Sequence, residues 1–386
     1  MPEAGSIQEE REVISSSSTP SKRSSNSIGS DALLMATEEA LQDVVDEGIF
    51  AVGGQAAVVT DGLLAVNVAV GAAGNGKPLV PESLHNVFCT LKPVAYLLLA
   101  HALERSGCGP DDELDSITVV PRWCPDGLTL RSLGTHQAGL IEPRPMPWKW
   151  TPPEKRQKLL EQSQTSRDPG YSDLAGGLVA EHVIEQLSGR TATEYCSEEL
   201  LQPLELEDEV IFDAEAGWKA HHRIQAPVSG LPIDKLPMLS ELLPSHIGEV
   251  RLAMGALATM RGAAEFYAAV GNVMAGKPQP GMPSPRLLQD LLNDDRPITH
   301  DPVLGRPAKW SGGLMVELGQ QGISQIAGKG SVGHTGAMAN SVAIYDPTKS
   351  ASVAIYLNGV GSSLEDQVLP RQQALDKILN AIPASP

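Results

Sequence analysis

GHTGAMANSVAIYDPTKSASVAIYLNG, residues 333–359, carries three strand signals in close succession. Ser331 to Gly336, Ser341 to Tyr345 and Ala351 to Leu357 each read as a strand, and Asp346-Pro347-Thr348-Lys349-Ser350 is the turn between the last two. Leu314 to Leu318 adds a fourth strand. At the other end of the chain, Gln55 to Thr60 and Leu63 to Val70 read as two strands joined at Asp61-Gly62, a strong hairpin dipeptide. Helical periodicity frames and separates these blocks. Leu33, Leu34, Leu41, Val44 and Val45 recur at helical spacing after Asp31. Leu91 to Glu104, Leu174 to Leu187 and Leu252 to Val273 come next, and a last helix covers Leu364 to Ile382, with Pro370 near its start. Strands at both ends with helices between them predict one mixed sheet built from both termini and a mainly helical insertion packed on it. The expected divisions are 31–109 with 306–386 for the sheet domain and 110–305 for the insertion, with the site between them.

The chain has 386 residues, which suits one large two-part domain or two ordinary ones. Apolar residues at 41% allow a sizeable core. Lys and Arg number 29 against 47 Asp and Glu, a formal charge of −18. That sign argues against nucleic acid and against anionic membrane as partners. Residues 1–30 hold ten serines and almost nothing large and apolar, so a disordered tail is expected there. The first eleven residues have no apolar core of a secretory signal, and no window is apolar over a bilayer's width. A cytoplasmic location is therefore expected. Four cysteines without a CxxC pair argue against a disulfide framework and against structural zinc, so no metal and no cofactor are expected. In a reducing compartment each thiol stays free to react.

Cys89-Thr90-Leu91-Lys92 opens a helix. The i, i+3 spacing puts the thiol and the amine on one face. A helix N-terminus and an ammonium both favour the thiolate, the nucleophilic form. Taken alone, the same residues also fit a buried core cysteine and a lysine reaching for solvent. Tyr171-Ser172-Asp173 precedes another helix, where Tyr171 is placed for proton relay and Ser172 or Asp173 for capping. Gly333-His334-Thr335-Gly336-Ala337 is a strand end whose glycines allow close backbone approach to a ligand, with an N–H available to an oxyanion. His136 reads as structural, and His221-His222 as surface histidines.

In this order, Cys-x-x-Lys, the leucine-rich segment through His136 to Leu140, Tyr-Ser-Asp and His-Thr-Gly resemble the serine β-lactamase and penicillin-binding-protein superfamily, nearest its class C-like esterase and transacylase branch. YSDLAGGLVAEHVIEQLSG (171–189) and the 333–359 stretch are similar to the same family's later motifs. The resemblance implies a β-lactamase-like α/β fold, with a mixed, mainly antiparallel sheet flanked by helices and an inserted all-α domain. It puts Cys89 at the nucleophilic serine's place, Lys92 as adjacent base or charge partner, and Tyr171 as proton shuttle. His334 falls where the third motif carries a cationic lysine. The backbone N–H groups of Cys89 and Ala337 would form the oxyanion hole. Asp173, Thr335 and Gly336 would contact substrate, as would Trp148 in the Pro-rich stretch 143–153. Two departures stand out. The nucleophile is Cys, and the second motif ends in Asp173 where the family has Asn. A carboxylate only accepts hydrogen bonds, which suits an amine or hydroxyl on the substrate. The expected activity is acyl transfer from a small-molecule acyl donor to an amine or alcohol acceptor. Hydrolysis and ligand binding without turnover are the alternatives.

Overall fold

The computed structural model describes residues 26–73, 76–142, 168–224, 252, 255–361, 363 and 365–383. Residues 1–25 of the expected tail, and Trp148 with the rest of 143–153, lie outside the described residues. In chain order the strands are β1 (Ala51–Thr60), β2 (Leu63–Gly71), β3 (His85–Phe88), β4 (Val210–Ile211), β5 (Ala256–Ala258) and β6 (Thr299–Asp301). They continue as β7 (Arg306–Ala308), β8 (Trp310–Ser311), β9 (Leu314–Val316), β10 (Val332–Thr335), β11 (Ser341–Asp346) and β12 (Ala351–Gly359). The longer helices are α1 (Asn26–Glu47), α2 (Pro93–Arg105), α3 (Ala175–Ser188), α4 (Met260–Met274), α5 (Pro285–Leu292) and α6 (Glu365–Ala381). α1 starts at Asn26, ahead of the Asp31 that the periodicity suggests, and α6 runs through Pro370.

The main sheet has seven strands in the order β2-β1-β12-β11-β10-β9-β8, and every adjacent pair is antiparallel. The β1–β2 hairpin turns on Asp61 and Gly62, both at positive φ (52° and 77°). Two positive φ values are what a type I′ turn needs, and its twist matches that of the strands. β12 is buried along its whole length because both faces of the sheet are covered. Alternate residues sort to the two faces. Ala57, Val59, Ala354 and Tyr356 join the core with α4, while Ala56, Val58, Val353, Ile355 and Leu357 join Leu41, Val44, Leu375 and Ile378 of α1 and α6. Each fully buried Val, Ile or Leu adds about 1.5–3 kcal/mol of favourable transfer energy.

The span 110–305, expected to be mainly helical and, from the resemblance, an inserted all-α domain, has two further features. It contains β4, β5 and β6. β5 lies between β3 and β4 in a second, three-stranded sheet, and β6 pairs with β7. It also contains α4, which packs across β1, β11 and β12 of the main sheet. Ser352 Oγ donates to Ala264 O at 2.6 Å, and Gly271 leaves room for the Tyr345 ring, which a Cβ would overlap. The apolar run Leu252 to Val273 hides a strand-to-helix switch. Thr259 ends β5 and caps α4, its Oγ1 accepting from Gly262 N at 3.0 Å.

Candidate active site

β3 ends at Phe88, a non-glycine residue with φ 46° and ψ −132°. Such backbone is disfavoured and persists only where its surroundings impose it. Gly255, at φ +128°, lies directly against Phe88, and any side chain there would collide with the Phe88 carbonyl. Cys89–Leu91 then forms a tight turn leading into α2, with Pro93 at the first helical positions. The turn is tied down from three sides. Tyr267 OH donates to Thr90 O at 2.7 Å, Thr90 Oγ1 and Ser341 Oγ are 2.8 Å apart, and Ser341 Oγ donates to Val87 O at 3.1 Å. The result is a sharp strand-to-helix elbow that carries Cys89, which is buried.

Lys92, one turn on, is completely buried. Its Nζ donates to Tyr171 OH at 2.9 Å, to Ser172 O at 3.4 Å and to Asp173 O, and lies 3.6 Å from Asp173 Oδ1 and 4.6 Å from the centre of the Tyr171 ring. The Cys89 thiol donates to Asp173 Oδ1 at 3.7 Å. Cys89, Lys92, Tyr171 and Asp173 therefore converge, although 84 positions separate Cys89 from Asp173 in the sequence. Burial, reinforced by Cys89 and Asp173, pushes the Tyr171 phenol well above its ordinary range, so it keeps its proton.

Asp301, His136 and Glu142 hold the second motif in place, and the sequence singled out only His136 among them. Tyr171 N donates to Asp301 Oδ2 at 2.8 Å. His136, at φ 54°, accepts from Ser172 N through Nδ1 at 3.1 Å, and its carbonyl accepts from Gly170 N at 3.0 Å. That bond fixes the proton of a neutral His136 on Nε2, and burial lowers the imidazole far below its usual range. His136 is thus structural, as the sequence suggests. Glu142 is buried, and its carboxylate accepts from Ser172 Oγ (2.9 Å), Asp173 N (3.0 Å), Leu174 N (2.7 Å) and Ala175 N (2.5 Å). It caps α3 together with Ser172, whose Oγ accepts from Gly176 N at 2.8 Å, and its negative charge suits the helix's N-terminal end. The only sequence signal for this is a charged residue directly after the apolar Leu140-Ile141.

The third motif closes the site. Gly336 lies flat against the elbow, and a Cβ there would come within 2.7 Å of Val87 O and 3.1 Å of Thr90 Oγ1. Ala337, half-buried, begins the next turn. His334 Nδ1 donates to Thr335 O at 2.8 Å, and its ring centre is 6.0 Å from that of Tyr171. Burial, with Lys92 nearby, lowers His334 to about 3, so the place of the family's cationic lysine holds a neutral imidazole. Trp310 stacks on Tyr171 with ring centres 5.3 Å apart. His221 and His222 lie in a short turn with His222 exposed, and among the described residues no cluster of ligating side chains is arranged for a metal ion. Among the same residues no helix is long and apolar enough to cross a membrane. Burial pushes the thiol of Cys124 up to about 12 and that of Cys196 higher still, which leaves both inert.

A strained elbow, a buried lysine one turn later, a tyrosine over it and a glycine-lined strand end define a class of protein, and the family comparison agrees. The beta-lactamase family model matches residues 41–377, and the chain belongs to that family. Solved structures show the same fold. A penicillin-binding-protein homolog from Caulobacter crescentus is 20% identical with a TM-score of 0.69, covering 90% of this chain and 97% of its own. EstCE1, described as a hydrolase with promiscuous acyltransferase activity, is 20% identical with a TM-score of 0.68, covering 90% and 99%. D-amino acid amidase from Ochrobactrum anthropi is 18% identical with a TM-score of 0.69, covering 91% and 98%. No curated protein sequence matches the chain.

Proposed function

We propose that this protein is an acyl-transfer enzyme working through a thioester on Cys89, and that it passes the acyl group to an amine or alcohol in preference to water. The observation that carries the proposal is the convergence of the Cys89 thiol, the Tyr171 phenol and the Asp173 carboxylate around the Lys92 ammonium. The thiol attacks the acyl carbonyl of a small-molecule donor. The protonated Tyr171 is placed to hand its proton to the leaving group. The N–H groups of Cys89 and Ala337 receive the oxyanion, and Thr335 and Gly336 border the substrate. Lys92 acts as charge partner, holding Tyr171 and Asp173 together. The scheme uses no metal and no cofactor.

The preference for transfer rests on thioester chemistry, since amines attack thioesters more readily than they attack oxygen esters. Hydrolysis is the second reading, favoured by the esterases and amidases among the structural neighbours. Intact mass after incubation with p-nitrophenyl acyl esters tests the scheme. It requires an adduct on Cys89 that is absent from Cys89→Ala. Added amines should then yield amide. If only free acid appears, the protein is a hydrolase. If no adduct forms across a broad ester panel, the pocket binds without turning over.

A further inference from the structure

We infer that Asp173 is a catalytic residue: its carboxylate takes the proton of the Cys89 thiol. This deepens the acyl-transfer reading and rests on it. The two places where the chain departs from the family pattern, Cys89 for serine and Asp173 for asparagine, touch each other, with Oδ1 3.7 Å from Sγ. The carboxamide of an asparagine has no basic site at neutral pH, whereas a carboxylate has one.

The neighbours of the thiol exclude themselves as proton acceptors. Tyr171 already carries its proton and receives a hydrogen bond from Lys92. Lys92 Nζ faces acceptors only: the Tyr171 oxygen, two backbone carbonyls and Asp173 Oδ1. Its role is donation. His136 has its acceptor nitrogen occupied by Ser172 N. His334 turns Nδ1 to Thr335 O and makes no hydrogen bond to the thiol. Asp173 Oδ1 remains, 3.6 Å from the lysine that also contacts Tyr171. Glu142 and Lys92 fix the Asp173 backbone from both sides, so the carboxylate is aimed independently of its own contacts.

The relay balances. The S–H bond breaks as the bond from Sγ to the acyl carbon forms, and the proton passes to Oδ1. When the bond to the leaving group breaks, Tyr171 protonates it. Lys92 reprotonates Tyr171, and Asp173 reprotonates Lys92. The products are the thioester and the protonated leaving group, with all three side chains restored. Acceptor attack runs the same path in reverse and returns the proton to sulfur.

The test compares Asp173→Asn and Asp173→Glu with the wild type at pH 7, using iodoacetamide and no acyl donor. Cys108, a half-buried thiol elsewhere on the chain, serves as the internal reference. Loss of a general base typically slows a reaction 10²–10⁴-fold, so the Cys89 to Cys108 labelling ratio should fall at least about tenfold in Asp173→Asn. Asp173→Glu keeps a carboxylate and should lose less. A misfolded variant would raise the labelling of Cys108 and Cys196 together, so an unchanged Cys196, which is buried, certifies the fold. A ratio that stays the same or rises in folded Asp173→Asn overturns the inference, because the carboxylate would then be a bystander or a suppressor of the thiolate. Acylation of the wild type by p-nitrophenyl acetate is read separately. If it fails, the acyl-transfer reading falls, while the labelling ratio still reports on Asp173 and Cys89.

Discussion

Replacing Glu142 by alanine strips one buried carboxylate from four donors at once: Ser172 Oγ and the N–H groups of Asp173, Leu174 and Ala175. A buried donor left unpaired costs about 1–3 kcal/mol, so four bare donors come to roughly 4 kcal/mol or more. Removing the charge also ends its own desolvation penalty, and a water in the vacated space can satisfy one or two of the amides, which brings the expected loss to about 2–3 kcal/mol. Glu142→Gln should lie between this variant and the wild type. Its one oxygen can serve Ser172, Leu174 and Ala175, the three donors that share Oε1, but its NH2 would face the Asp173 N–H. The expected loss is about 1–2 kcal/mol. Urea unfolding gives the global number, and amide hydrogen exchange at Leu174 and Ala175 gives the local one. Both variants should also acylate more slowly on Cys89, because Tyr171 and Asp173 are carried by the loosened segment. If both unfold within about 0.5 kcal/mol of the wild type, the range of an ordinary surface substitution, the carboxylate does not hold the second motif.

Three further outcomes are expected. Tyr171→Phe should still form the thioester from p-nitrophenyl esters, whose leaving group needs no proton, but should lose about 10²–10⁴-fold on alkyl esters and amides; equal losses on both classes would remove Tyr171 as the leaving-group acid. His334 is lowered to about 3 in the fold against about 6.5 in an unfolded chain, so the unfolded state binds more protons between those values. Its contribution is fully present above about pH 6.5 and is lost as pH falls towards 3, so His334→Gln should flatten stability against pH in that window, and an unchanged slope in urea titrations would contradict the neutral, buried imidazole. Gly336→Ala forces a methyl against Val87 O and Thr90 Oγ1, an overpacking of about 1–3 kcal/mol at the elbow. It should lower the melting temperature and abolish acylation together.

The larger strands were legible because they are apolar runs bounded by marked turns, as at Asp61-Gly62. The second sheet was not, because β4 and β5 are two and three residues long and show no period. The apolar run after Leu252 could be read only as one helix, since nothing in hydrophobicity distinguishes Ala256–Ala258 from the helical residues after it; the Thr259 cap makes the difference. Only the family resemblance linked Cys89, Lys92 and Tyr171 in the sequence, since each motif alone also fits an ordinary structural residue; the fold brings the three together. Glu142 and Asp301 were not legible, because a single carboxylate carries no pattern until the fold brings amides to it. The charge of His334 was also beyond the sequence, since burial sets it.

The pairing of β1 with β12 sets the order in which the protein can be assembled. Ala51 lies opposite Gly359, and Thr60 opposite Ala351. A chain emerging from a ribosome completes the β1–β2 hairpin and α2 early, yet β1 waits for nearly all the remaining sequence before its second edge is filled. The elbow waits with it, since Ser341 and Gly336, which clamp Val87 and Thr90, arrive on the same late segment. Loop closure over that distance is slow and comes before the contacts that reward it. The clamp around Cys89 is therefore completed only when the segment carrying Gly336 and Ser341 has joined the sheet.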